Sequence, residues 1–326
     1  MKSKEHDDMQ LSRRVILGAP LGLATPALAQ SGPIRLVVGF PPGGSTDLVA
    51  RLLQPAIAQA YGVAVVVENR PGASAALGAQ VVARAPGDGN TWAVVFDTHV
   101  VNPVLIPNLG FDTKRDLAPV LLVGTTPNLI MAHKTRPWQN WQQLLEAARA
   151  RPDTITYGTI GNGSLAHLGM SIAQKNGNFV VQHVPYRGGG PLVTAAATGE
   201  ADLYVTTPTA FATPLREGMV RPLASAGAER FAGAPDVPTL AELGIPGVDA
   251  RAFWGVLAPA STPEPIRKRM EDVLRAALQG PELRGRLTEQ LGVKVSGAGA
   301  EEFGRFLDEQ METWARVVRE YNIRPD

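Results

Sequence analysis

Cysteine is missing from all 326 residues. Without disulfides the chain must be stabilised by its core, and thiolate nucleophiles are excluded. Neither sign of charge is in excess: 31 basic residues face 30 acidic ones. With no basic run, nothing in the chain steers it to nucleic acid or to a membrane surface, and neither is expected as a partner. No Gly-Lys-Ser/Thr follows the glycine turns, so a Walker loop is absent, and so are G-x-S-x-G and H-E-x-x-H motifs. The only long apolar run lies near the N-terminus and is about 15 residues, short of the ~20 that a transmembrane helix needs.

That run reads as an export signal. Ser12-Arg13-Arg14-Val15 leads into it and Ala27-Leu28-Ala29 ends it, which is a charged n-region, a short h-region and an A-x-A cleavage site. The paired arginines fit a twin-arginine signal. Residues 1–29 are therefore assigned to a signal peptide cleaved near Ala29, with the mature protein in the periplasm. Cleavage removes four basic and three acidic residues and leaves 27 of each sign. About 300 mature residues suffice for two domains. The 34 glycines and 27 prolines are dispersed among apolar runs, which calls for many tight turns.

Two series of alternating strand and helix patterns follow. The first has strand 34–40, helix 46–61, strand 64–68, helix 75–84 and strand 91–96. The second has strand 127–133, helix 141–150, strand 154–159 and helix 165–176. It continues with strand 179–184, helix 192–198, strand 201–206, helix 210–217 and strand 221–227. Such β-α-β order predicts parallel, doubly wound sheets with right-handed crossovers. Strand 251–258 carries the chain back toward the first series. Helices 266–278 and 300–321 end the chain, the last with a docking stripe of Phe303, Phe306, Leu307, Met311, Trp314, Val317 and Tyr321. The fold class is α/β, with domain I at 30–127 plus 255–326 and domain II at 128–254.

Strand 34–38 runs into Gly39-Phe40-Pro41-Pro42-Gly43-Gly44, and Ser45, Thr46 and Asp47 then stand where a helix begins. Glycines let backbone N–H groups turn outward, and a helix start carries about half a positive charge. The combination is a pocket for an anion. Gly161-Asn162-Gly163-Ser164 repeats it in the second unit. It formally matches G-x-G-x-x-A, yet the next strand ends in Gln182-His183-Val184, with none of the acidic residues a dinucleotide site uses. Two anion-ready turns in separate domains suggest one ligand held in the cleft between them. His167, one helical turn on, could line that cleft, and Arg187 beside Tyr186 is the candidate cationic contact. Asp97, Thr98 and Asn102 lie at the carboxyl end of strand 91–96, where ligands collect in open α/β sheets. Asp97 and His99 are too few to hold a metal. No cofactor is expected, and Ser45 and Ser164 have no base nearby in sequence for hydrolysis.

Six segments, in order, carry a resemblance over nearly all of the mature chain. They are Gly39 to Asp47, Glu68-Asn69-Arg70-Pro71-Gly72, and Tyr157-Gly158 through Gly161-Asn162-Gly163-Ser164 to His167-Leu168. His183-Val184-Pro185-Tyr186-Arg187-Gly188, Asp236 to Gly244, and Trp254 to Pro259 complete the set. Together they resemble the Bug-type substrate-binding proteins of tripartite tricarboxylate transporters. The resemblance implies a non-catalytic, monomeric receptor of the type II binding-protein architecture with a two-strand hinge. It implies a small carboxylate held by turns matching residues 40–47 and 161–164, largely through backbone amides and ordered water, and delivered to membrane permease subunits. Alternatives are a sensor that presents its ligand without transport and an exported serine hydrolase using Ser45 or Ser164. The chain departs from the family at Pro86-Gly87-Asp88-Gly89-Asn90, where Pro-Asp-Gly and an aromatic are usual, and at Val205-Thr206-Thr207-Pro208.

Overall fold

A computed structural model describes residues 32–324; the expected signal peptide and its cleavage site lie outside the described residues. The first lobe opens with β1 (Ile34–Val38), α1 (Ser45–Tyr61), β2 (Val65–Asn69), α2 (Ala76–Ala83) and β3 (Thr91–Val95). A 3-10 turn (Asp97–Val100), α3 (Asn102–Leu105) and β4 (Leu117–Pro127) follow. The second lobe contains β5 (Leu129–His133), α4 (Trp141–Ala150), β6 (Thr156–Thr159), α5 (Leu165–Gly177) and β7 (Gln182–Pro185). It ends with α6 (Gly189–Thr198), β8 (Leu203–Thr206), α7 (Ala212–Arg216) and β9 (Val220–Ser225). The chain returns through β10 (Arg251–Pro259) to α8 (Glu264–Gln279), α9 (Pro281–Gly285), β11 (Lys294–Gly299) and α10 (Ala300–Glu320).

Each lobe is built on one sheet, ordered β11-β4-β10-β3-β1-β2 and β7-β6-β8-β5-β9. The expected parallel pairing is found for β2-β1-β3 and for β7-β6-β8. The strands that carry the chain between lobes are antiparallel to their neighbours, so both sheets are mixed. Residues 127–133 do not form one strand: β4 ends at Pro127 and β5 starts at Leu129, one in each sheet. Pro119 and Gly124 interrupt the strand signal of β4; in place they lie next to the two register shifts against β10. Because β10 pairs with β4 from Arg251 onward, the return crossing falls at Ala250–Arg251 rather than at the expected 254/255 boundary.

Asn128 joins the two crossings. Buried, it donates from Nδ2 to the Ala250 carbonyl at 2.8 Å, and its own carbonyl accepts the Ala226 N–H at 2.9 Å. Ala250 N–H in turn donates to Ala226 O at 2.7 Å. Three backbone segments thus share one hydrogen-bonded knot at the hinge.

Helices cover both faces of the first sheet. Val49, Leu53 and Ile57 of α1 recur every four residues and pack with Met270, Leu274 and Leu278 of α8 on one face. On the other, α2 and the stripe of α10 (Phe303, Leu307, Trp314, Val317) share a core that continues into the second lobe. The end of α10 reaches α5, where Lys175 Nζ lies 3.1 Å from Glu320 and 4.4 Å above the Tyr321 ring. Gly255 of β10 makes room for this helix, since a Cβ there would stand 2.1 Å from Phe303 Cζ. Gly255→Val is therefore expected to cost about 1–3 kcal/mol, read as a lower urea midpoint. An unchanged midpoint would show that Phe303 has another place to go.

Candidate functional site

Asp47 shapes the first turn. Buried in the opening turn of α1, its Oδ2 accepts the Gly43 N–H at 3.0 Å and Arg51 Nε at 2.9 Å. Oδ1 accepts Asn69 Nδ2 at 3.0 Å, and the same amide reaches Phe40 O at 2.9 Å. Burial pushes the carboxyl up, but Arg51, Gly43 and Asn69 outweigh it and hold Asp47 below the ordinary carboxylate range. The residue is a brace for the loop, with its charge answered by Arg51. Phe40 stands edge-on to Phe96, centroids 5.9 Å apart. Pro42 and Gly43 are exposed, whereas Gly44, Ser45 and Thr46 are buried. Gly44 caps α1 without a side-chain hydrogen bond, which leaves first-turn N–H groups such as those of Ser45 and Thr46 without intrahelical acceptors.

The second turn is braced by rings. His167 Nδ1 accepts the Gly163 N–H at 3.3 Å, and His167 stacks on His183 with centroids 4.1 Å apart. Tyr157 stacks on the other side of His183 at 4.9 Å, and Thr159 Oγ1 lies 2.8 Å from His183 Nε2. Burial lowers His167 to about 4, and burial with the neighbouring His167 lowers His183 to about 3, so the stack is neutral at physiological pH. Ser164 caps α5 by accepting the His167 N–H, and its hydroxyl donates to Gly161 O at 2.8 Å. Gly163 takes φ +75°, and a Cβ there would meet Leu105 Cδ1 at 2.4 Å.

The lobes touch at these turns, and the helix starts meet in a pairing that the sequence did not suggest. Opposite α1 stands the start of α6: a Cβ on Gly189 would lie 3.1 Å from Gly44 Cα, and one on Gly190 3.0 Å from Pro42 O. Gly188 caps α6, again with no side-chain cap. Sequence reasoning placed residues 185–191 in a loop; Pro191, in the first helical turn, was the signal that the glycine run begins a helix. The start of α5 is instead already occupied from the other lobe. Buried Asp97 faces the N–H groups of Leu165 and Thr98, while its Oδ1 has no hydrogen-bond partner among the described residues. Ser74, also unforeseen, donates to Asn162 O at 3.3 Å, and Asn102 Nδ2 holds Ser74 O at 2.9 Å. Ala73, Ser74 and Ala75 all take positive φ (47°, 49° and 73°), a run of left-handed residues that side chains disfavour and that concentrates at functional sites.

The other expected residues are dispersed. Thr98 is buried, and its Oγ1 has no partner among the described residues. Tyr186 is half-buried, its hydroxyl 3.4 Å from Glu200. Arg187 is exposed and makes no hydrogen bond or ion pair among the described residues. Among those residues no group of three or more His, Cys, Asp or Glu could hold a metal, and no helix is long and apolar enough to cross a membrane.

The model for the tripartite tricarboxylate transporter family receptor matches residues 49–323. The chain belongs to that family. It is 31% identical over 307 residues to Protein BugT of Bordetella pertussis, covering 93% of this chain and 94% of that one. In structure it is similar to Rpa4515 of R. palustris with adipate, at TM-score 0.87 and 30% identity over 91% of this chain and 99% of the other. MatC of Rhodopseudomonas palustris with bound malate gives TM-score 0.82 and 31% identity, over 88% and 99%. The expected type II binding-protein architecture is thus the observed one, and the chain is a periplasmic-type solute receptor rather than an enzyme. The serine-hydrolase alternative falls with that assignment, and Ser164 is spent on capping α5.

Asp97 gives this tripartite tricarboxylate receptor a pH dependence of stability. Burial raises its carboxyl from 3.8 to about 8, only partly countered by the Leu165 and Thr98 N–H groups. Between those values the folded chain holds a proton that the unfolded chain has lost, so stability falls as pH rises from about 4 to about 8. His99, His133, His167 and His183, which burial lowers, act oppositely, and their effect extends to about pH 7.5 because unfolded imidazoles still carry protons there. From about pH 7.5 to 8 the Asp97 slope dominates, at up to about 1.4 kcal/mol per pH unit. Asp97→Asn is expected to flatten the thermal midpoint across that window; a variant retaining the wild-type slope rejects the assignment.

Proposed function

We propose that this receptor binds a small organic carboxylate in the cleft between its lobes and hands it, chemically unchanged, to the membrane permease subunits of a tripartite tricarboxylate transporter. The observation that supports the reading is the pair of uncapped helix starts, α1 at Gly44 and α6 at Gly188, which touch across the lobe boundary and would open to a ligand when the lobes part. Each offers first-turn N–H groups and the positive end of a helix dipole, an arrangement suited to an anion. Hydrogen bonds to a charged group contribute about 1.5–3 kcal/mol each, so a few of them support micromolar affinity, near −8 kcal/mol.

The roles divide accordingly. Gly44, Ser45 and Thr46 present main-chain donors; Phe40, Pro42, Gly43 and Asp47 set the loop that presents them. Gly161, Asn162, Gly163 and Ser164 form the opposing wall, with His167 behind it, while Asp97 and Thr98 close the seam at the start of α5. Tyr186 and Arg187 lead into α6 at the rim. The likeness to the structures with adipate and malate supports a carboxylate as the ligand class. The chain is exported through its twin-arginine-like leader, cleaved near Ala29, and acts as a monomer whose closed form the permease reads.

Ser45→Pro tests the main-chain claim directly. Proline suits the first position of a helix and follows an extended residue well, and Gly44 has φ −80° and ψ 168°. The substitution removes one N–H and leaves the helix. A carboxylate that stabilises the wild type, found by thermal shift over adipate, malate and related acids, is expected to lose roughly 10- to 100-fold in Kd. Ser45→Ala, which keeps the N–H, is expected to bind within a few fold of wild type. Equal affinity in wild type and Ser45→Pro would remove the donors from the site.

A further inference from the structure

Asp97 belongs to the first lobe, yet the second lobe supplies part of its surroundings. It opens the 3-10 turn after β3 and is 1% exposed. Across the lobe boundary it faces the N–H of Leu165, the first residue of α5. The turn and α3 meet the start of α5 at further points. A Cβ on Gly163 would stand 2.4 Å from Leu105 Cδ1 and 3.7 Å from Val101 Cγ1. Ser74, held by Asn102, donates across the same seam to Asn162 O. The contacts that join the lobes here also enclose the carboxyl group.

No cation answers a charge at this place. Asp97 forms no ion pair among the described residues, and its Oδ1 has no hydrogen-bond partner. Burial outweighs the Leu165 and Thr98 N–H groups and raises the carboxyl to about 8. The titratable groups on the surrounding elements leave it uncompensated. His99 on its own turn and His167 on α5 are kept neutral by burial, each lowered to about 4. His183, stacked on His167, is lowered to about 3. Helices α2 and α3 and strand β3 carry no charged residue. The charge on β10 is Arg251, at its exposed end and paired with Asp249. On α10, Asp308 shares a cavity lining with His99 but is paired with Lys114. Asp47 shows the alternative within the same lobe: it too is buried, but Arg51 keeps it charged.

We propose that closing the lobes loads Asp97 with one proton, so that the receptor holds its closed form more firmly as its surroundings become more acidic. The proton comes from solvent and returns there when the lobes part and water reaches the carboxyl group. A carboxylate in water ionises near 3.9. Between that value and about 8 the closed form therefore carries a proton that the open form lacks. Closure then gains up to about tenfold for each unit by which pH falls. Affinity for a carboxylate held between the lobes rises in step, a consequence that rests on the function proposed above.

The test reads the lobes directly. The chain has no cysteine of its own, so Ala60→Cys on α1 and Ala197→Cys on α6, both exposed, form a unique dye pair with one dye on each lobe. Single-molecule energy transfer in the ligand-free mature chain is followed from about pH 6 to 8.5. The closed-to-open ratio is expected to rise about tenfold from pH 8 to 7 relative to the same pair carrying Asp97→Asn. The histidines are common to both chains and cancel in that comparison. An unchanging ratio in the wild type, or an equal slope in Asp97→Asn, overturns the proposal. Calorimetry with adipate and with malate, in two buffers of different ionisation enthalpy, needs no dye. Uptake of close to one proton per bound acid is expected at pH 7, and none in Asp97→Asn. An acid that binds without proton uptake rejects the coupling and leaves the cleft in place. If neither acid binds, the carboxylate reading is what fails, and the dye pair still decides the fate of the proton.

Discussion

Backbone N–H groups withheld from hydrogen bonding at the lobe boundary are the constraint on which the rest of this receptor depends. A helix start leaves donors unpaired, and burying them without an acceptor is costly. The chain answers that cost differently at its three interlobe helices. At α5 the donors meet acceptors from within, Ser164 on the same lobe and Asp97 from the other. At α1 and α6 the caps are glycines, which supply no side-chain acceptor. Under the proposed function these are the positions that a ligand's carboxylate would complete.

Supporting that boundary requires rigid parts close to a movable one. Asp47, Asn69 and Arg51 fix the first loop, and the Tyr157–His183–His167 stack fixes the second. Both braces hold backbone turns through side chains, at the Gly43 and Gly163 N–H groups. The hinge is narrower. It consists of the β4–β5 and Ala250–Arg251 crossings, joined by Asn128. Helix α10 restrains the hinge from outside, because its apolar stripe belongs to the core that continues from one lobe into the other. Its ionic contact through Lys175 and Glu320 is exposed and adds little.

Buried titratable groups are handled by neutralisation more often than by pairing. Asp97 is held protonated up to about pH 8 and His99, His167 and His183 are held neutral, in each case mainly by burial. Asp47 is the contrast, kept charged because three donors converge on it.

The alternation of strands and helices from β1 to β3 and from β5 to β9, the glycine turns, the apolar stripe of α10 and the family were legible in the sequence, because each is written in local periodicity or in contiguous motifs; strands β4 and β11 were not. Local signals also gave the residues of the first loop. They failed where a strand contains Pro119 and Gly124 yet is completed by neighbours, and where glycines 188–190 start a helix. What tertiary structure alone decided is which helix starts face each other. Sequence suggested α1 against α5, whereas the folded chain sets α1 against α6 and fills α5 with Asp97. That choice depends on how closely two backbones approach across a gap of more than a hundred residues. Only the packed lobes fix that distance, since the glycines that permit it are compatible with many others.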